Sequence, residues 1–294
     1  MMTTTIHGPE SDLQRRLETL MREHPPKRLD VGGADWRYIS LGTGETGLLL
    51  LPGAAGGGEA YFRLAPKLAD RYRLVMVSYP VVGGLDEMLE GLAAILDAEG
   101  IDRTALMGGS FGGTVAQAFL LHSPERTTRV ILTGTVPPSP ARAVSNRRWL
   151  RVLRLIPMPW MRSLLKLVIR KSIKGVTRDR DFWERFYIDA VNSLTWEDLA
   201  TRYRFGIDFD RDYAEKTGNL ENWSGEILIL EGSEDAMAKP ELRAALKAAY
   251  PTASIHTFKG AGHGMSLERP EEYEAVVTRF LQDAGTRQRL QPVG

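Results

Sequence analysis

Apolar runs bounded by glycine and proline alternate along the chain with stretches whose apolar residues recur every three or four positions. Residues 10–23 place Leu13, Leu17 and Leu20 on one side, predicting an exposed helix that Pro25 and Pro26 end. "RLDV" and "WRYISLG" predict two short strands, and "GLLLLPG" (47–53) and "RLVMVSYP" (73–80) predict strands buried on both faces. Between the latter two, "EAYFRLAPKLADRY" has helical spacing. In "LDEMLEGLAAILDAEG" (85–100), Leu85, Met88, Leu89, Leu92 and Ile95 form one stripe and Gly100 supplies the stop. Strand "RTALMG", helix "GTVAQAFLLHSPE" and strand "TRVILTGT" (128–135) follow. Much later come strands "EILILEG" (226–232) and "SIHTFKGAG" (254–262), with helices at 239–249 and 270–283. This alternation predicts an α/β fold with a mostly parallel sheet flanked by helices. The interruption at 136–223 opens with "VPPSPAR", is helical in character, and predicts a helical cap. The core is then 1–135 and 224–294, with an N-terminal arm at about 1–26.

Composition narrows the chemistry. A chain of 294 residues, 43% hydrophobic, can bury one large core with an insertion. Its 38 basic and 37 acidic residues give a net charge of +1, which argues against a nucleic-acid partner. There is no cysteine, so disulfides, thiolate metal sites and cysteine nucleophiles are excluded. The first 26 residues carry charges throughout and no apolar h-region, so a cytoplasmic location is expected. The longest uncharged run, Thr104 to Pro124, contains four glycines and is no membrane span.

That run carries the main motif. In "ALMGGSFGGTVAQ" (105–117), Gly-x-Ser-x-Gly stands between a strand and a helix, the order of a nucleophile elbow with Ser110 at its tip. A serine hydroxyl needs a base, and the base needs a group that fixes its tautomer. Of the five histidines, His7 and His24 lie in the arm, His122 ends the elbow helix and His256 lies within a strand. His263, in the small-residue loop "KGAGHGMSLERP", is placed to reach the sheet edge as the base. The acid should come from "ILILEGSEDAMAKP": Asp235 has cleared the strand, Glu234 is the alternative, and Glu231 is still within it. An oxyanion would meet the backbone N–H groups of Phe111, at a helix N-terminus, and of Ala54, in "LLLLPGAAGGG". No metal and no cofactor is called for.

With Ser110, Asp235 and His263 in that order, the sequence resembles the α/β-hydrolase superfamily from the strand at 47 to the helix ending near 283. "LPGAAGGGEAYF", "YPVV" and "LDEMLEGLAAILDAEGIDRTALMGGSFGG" are similar to stretches of the maspardin branch, whose members are treated as binding proteins. The loop "GAGHGMSLERP" resembles instead the catalytic histidine loop of esterases, and "GGSFGGTVA" the elbow of proline iminopeptidases. Many members of the fold have His-Gly where this chain has Pro52-Gly53, so the histidine that pins the oxyanion loop is missing.

The expected function is serine-dependent hydrolysis of a small carboxylic ester through an acyl-enzyme. Amide or C–C bond hydrolysis on the same machinery and a maspardin-like non-catalytic binding role are the alternatives. An idle triad has no reason to keep all three members in place, which favours an enzyme. The cap aromatics Trp160, Trp183 and Phe186 are expected to line the substrate pocket. Residues 142–174 contain ten Arg or Lys and no Asp or Glu, with Arg162, Lys166, Arg170 and Lys174 repeating every four residues. The stripe is read as a solvated basic face, with contact to an anionic membrane as the functional alternative.

Overall fold

The computed structural model describes residues 12–217, 220 and 223–288; His7 lies outside them. Eight strands form one sheet in the order β1-β2-β4-β3-β5-β6-β7-β8. They are β1 (Lys27–Val31), β2 (Ala34–Leu41), β3 (Thr46–Leu51), β4 (Tyr72–Ser78), β5 (Thr104–Gly109), β6 (Thr127–Thr133), β7 (Glu226–Gly232) and β8 (Ser254–Phe258). β1 and β2 pair antiparallel to each other, and β2 antiparallel to β4; every later pairing is parallel. The central strands are apolar on both sides because both faces are covered. Leu49 and Leu51 of β3 pack into one core with α3 (Leu85–Ala98) and α4 (Phe111–His122). Leu48 and Leu50 face the other, with α1 (Asp12–Glu23) and α11 (Pro270–Gln288). The leucine stripe of α1 is therefore not free, since Leu13 and Leu20 are buried in this second core.

The helical spacing of "EAYFRLAPKLADRY" does not yield one helix. It forms a 3-10 turn at Gly58–Tyr61 and a single turn, α2 (Ala65–Leu68). Pro66 is the reason, because proline starts a helical turn but cannot continue one.

Among the described residues, four helices fill the interval between β6 and β7: α5 (Pro140–Leu153), α6 (Met158–Ser172), α7 (Arg180–Ser193) and α8 (Trp196–Asp212). Thr195 and Asp198 form a reciprocal capping box that starts α8. Phe205 and Phe209 of α8 sink into the same core as α3 and α4. Buried Asp210 receives Arg142 Nε at 2.8 Å and the Ser139 N–H at 3.1 Å, tying α5 to α8. α6 and α7 lie at the carboxyl edge of the sheet, where they roof the site. After β7 come α9 (Pro240–Ala249), β8, α10 (Met265–Glu268) and α11.

Candidate active site

The turn from β5 into α4 sets Ser110 at φ 52° and ψ −118°, a conformation side chains rarely adopt. The Ser110 N–H donates to the Thr133 carbonyl at 2.8 Å, and its own carbonyl accepts from Gly113 at 3.0 Å. Strand and helix pass so closely that a Cβ on Gly108 would run into the Gly112 carbonyl, and one on Gly112 into that of Leu51. Glycine at both positions is a steric requirement of the elbow.

Asp235 and His263 arrive from the loops after β7 and β8. His263 Nδ1 lies 2.8 Å from Asp235 Oδ2. The other carboxylate oxygen accepts the N–H groups of Met237 at 2.8 Å and Ala238 at 2.9 Å. Burial alone would raise the Asp235 carboxyl, but the His263 bond and charge and these two N–H donors outweigh it, holding the group below its ordinary value. An acceptor fixed on Nδ1 leaves Nε2 of a neutral ring free to take a proton. The runner-up acids stand elsewhere. Glu234 is exposed, and Glu231 is buried between Lys247 and Thr257 Oγ1, each at 2.8 Å. Of the other histidines, His256 lies 2.9 Å from Glu272 and His122 3.5 Å from the Tyr213 hydroxyl.

Ser110 and His263 line one cavity of about 290 Å³, with Ala54 and the rest of the loop from Pro52 to Gly56 on its wall. Phe111 opens α4, so its N–H has no intrahelical acceptor, while its ring turns away to meet Tyr79 and Phe205 edge-on. The Pro52-Gly53 loop has its own anchors in place of a histidine. Tyr61 Oη donates to the Leu51 carbonyl at 2.7 Å and Tyr79 Oη to the Pro52 carbonyl at 3.1 Å. Burial pushes both phenols up, so they remain protonated donors. Sequence reasoning did not find either tyrosine, because a phenol aimed at a main-chain carbonyl leaves no motif.

The roof corrects two expectations. Along α6 the cavity is lined by Leu165, Val168, Ile169 and Ser172, a spacing of three and four residues that leaves Trp160 on another face, 72% exposed. Along α7 the lining residues are Trp183, Tyr187 and Val191. Phe186 is thereby rotated out; it packs on Phe62 and Phe182 and borders a separate outer groove beside Gln14 and Glu59. Of the three aromatics expected in the pocket, Trp183 alone lines it. The basic stripe of α6 is solvated in part, with Arg170 and Lys174 exposed and Arg162 and Lys166 half-buried. Arg162 donates to the Leu194 carbonyl at 2.8 Å and Arg170 to Glu184 at 2.7 Å, so the stripe borders α7. Apolar Trp160, Leu164 and Leu167 point outward as well.

A mostly parallel sheet with an elbow serine after β5 and a paired Asp–His at the later strand ends defines the α/β-hydrolase fold. The model of the alpha/beta hydrolase family matches residues 48–276, and the chain belongs to that family. It is 26% identical over 275 residues to a 2-hydroxy-6-oxononadienedioate/2-hydroxy-6-oxononatrienedioate hydrolase of Burkholderia vietnamiensis (strain G4 / LMG 22486), covering 83% of this chain and 90% of the relative. With a 2-hydroxymuconate semialdehyde hydrolase of Pseudomonas putida it shares 28% over 201 residues, 67% of this chain and 68% of the relative. Its fold is like that of a thermophilic esterase from Thermogutta terrifontis, with a TM-score of 0.71 at 22% identity over 87% of this chain and 98% of the other. The chain is thus a hydrolase. Among the described residues no helix is long and apolar enough to cross a membrane.

Proposed function

We propose that this hydrolase cleaves a carbon–carbon bond next to a ketone carbonyl in a small unsaturated keto acid. The observation that carries the reading is a serine, a histidine and a buried acid converging on one apolar cavity, in a chain whose curated relatives are named for hydrolysing such acids. Ser110 Oγ adds to the ketone carbonyl as His263 accepts its proton, and Asp235 stabilises the imidazolium. The oxyanion meets the N–H groups of Ala54 and Phe111. Collapse breaks the C–C bond. In the 2-oxo tautomer of the substrate, where the carbon that loses the acyl group is saturated, the electron pair passes into the conjugated enone as a dienolate, which takes the proton back from His263. Water, deprotonated by the same imidazole, then releases the acyl group from Ser110.

Carboxylic-ester hydrolysis is the second reading, favoured by a largely uncharged cavity wall that suits a neutral acyl chain. The test compares loss of 2-hydroxy-6-oxo-6-phenylhexa-2,4-dienoate absorbance with 4-nitrophenyl butyrate hydrolysis. A kcat/KM at least tenfold higher for the dienoate is the expected result. Butyrate hydrolysis without dienoate cleavage hands the site to the ester reading.

Peripheral contact with anionic lipid belongs to the same proposal, supported by the surface around the turn between α5 and α6. Trp149, Val152, Leu155, Trp160, Leu164 and Leu167 are exposed there beside exposed Arg148, Arg151 and Arg154. Co-sedimentation should show binding to phosphatidylserine vesicles and little to phosphatidylcholine. Charge reversal of Arg151 and Arg154 should weaken it by at least tenfold, at about 1 kcal/mol per charge near the surface.

A further inference from the structure

One cavity-wall cation has no part in the reaction just derived. Arg63 follows the oxyanion loop by a few residues and lines the same cavity as Ser110 and His263. A guanidinium carries five N–H donors in a planar fork, and the Arg63 side chain is only 18% exposed. Among the described residues its hydrogen-bonding partner is Glu274 of α11, reached through Nη2 at a long 3.4 Å. Its Nε is buried with no hydrogen-bond partner. A shielded cation with most of its fork unused is a poor structural clamp and a good receptor for a planar anion.

Glu274 does not cancel that charge. It also accepts Lys67 Nζ in a close contact, so two cations share one carboxylate and the wall keeps an excess positive charge. The neighbouring acid, Glu271, is exposed and paired with Arg178. The remaining lining carries no Asp, Glu, Lys or Arg.

We propose that Arg63 is a carboxylate-binding residue of this cavity, so that the enzyme selects small organic acids whose carboxylate meets the open guanidinium donors while the reacting carbonyl lies at Ser110. The proposal rests on this cavity being the substrate site and deepens that reading from bond type to substrate charge. Lys67 keeps Glu274 neutralised when the acid binds, so the anion meets no unpaired carboxylate. The competing role is a structural ion pair that merely fixes the loop to α11.

Calorimetric titration with benzoate and with benzamide, a neutral molecule of nearly the same shape, separates these roles without needing turnover. Wild-type protein should bind benzoate at least tenfold more tightly than benzamide, and Arg63→Met should erase the difference while leaving benzamide affinity within about threefold. Glu274→Gln, which removes the competing carboxylate but keeps the side-chain shape, should tighten benzoate binding several-fold. Equal binding of the two probes by wild type overturns the proposal, as does a preference that survives Arg63→Met. Should Arg63→Met fail to fold, unchanged or weaker benzoate binding in Glu274→Gln overturns it equally. Benzoate preference without dienoate cleavage would leave Arg63 assigned and remove the C–C reading; dienoate cleavage without the preference would do the reverse.

Discussion

Ser110 is held where only glycine is at ease, with φ at 52°. Ser110→Ala keeps that strain and removes the proposed nucleophile. It should melt close to wild type and lose at least about 10³-fold in turnover. Ser110→Gly relaxes the turn and should gain up to about 1 kcal/mol in urea denaturation while remaining inactive; a Gly variant no more stable than the Ala variant would show that no strain is stored there. The acid can be tested beside it. Asp235→Asn should cost about 10⁴-fold in kcat by losing the carboxylate that orients the imidazole, while Glu234→Gln, out on the surface, should change little. Because the native Asp235 carboxyl is held below its unfolded value, its contribution to stability is full above about pH 4 and is lost as pH falls through the lower native value. Denaturation midpoints between pH 2 and 6 should therefore fall less steeply in Asp235→Asn than in wild type. Ser110 and His263 were legible because the chemistry constrains their neighbours to glycine and other small residues. Arg63 and Glu274 were not, since they meet across more than 200 positions and resemble any two surface charges.

Among the elements, the strands were the most readable. Buried parallel strands must be continuously apolar, and "EILILEG" coincides with β7, Glu226–Gly232. The roof helices are legible as helices, but their orientation is not. α6 is apolar on its cavity side, at Leu165 and Val168, and on its outer side, at Leu164 and Leu167, so periodicity names no unique inner face. Arg162 illustrates the ambiguity: its charge suggested solvent, and its guanidinium closes the end of α7. Trp183 and Trp160 make the difference measurable. Trp183→Ala removes a buried ring from the cavity wall, and should cost about 3 kcal/mol and shift selectivity toward bulkier substrates. Trp160→Ala should leave stability within about 0.5 kcal/mol and the profile for soluble substrates unchanged. Melting curves and a chain-length panel on the two variants check both.

Across the whole molecule, the interval between β6 and β7 is not uniform. α8 shares its core with α3 and α4, whereas α6 keeps much of its apolar surface in the open. Hydrogen exchange should show α8 amides opening only with global unfolding and α6 amides exchanging orders of magnitude faster, because sparse packing lowers the cost of local opening. Similar protection in both would mean that the roof moves only with the body. The roof at α6 is one helix thick, so nearby side chains belong to different worlds: Leu165 looks into the cavity and Leu167 stands 61% exposed outside. The chain also contains no cysteine. A thiol introduced at Leu167 would therefore be the sole labelling site, and a dye there would ride on the cavity wall without touching what it encloses. Its fluorescence would report any shift of the roof during turnover, in a protein that needs no background mutations to be observed.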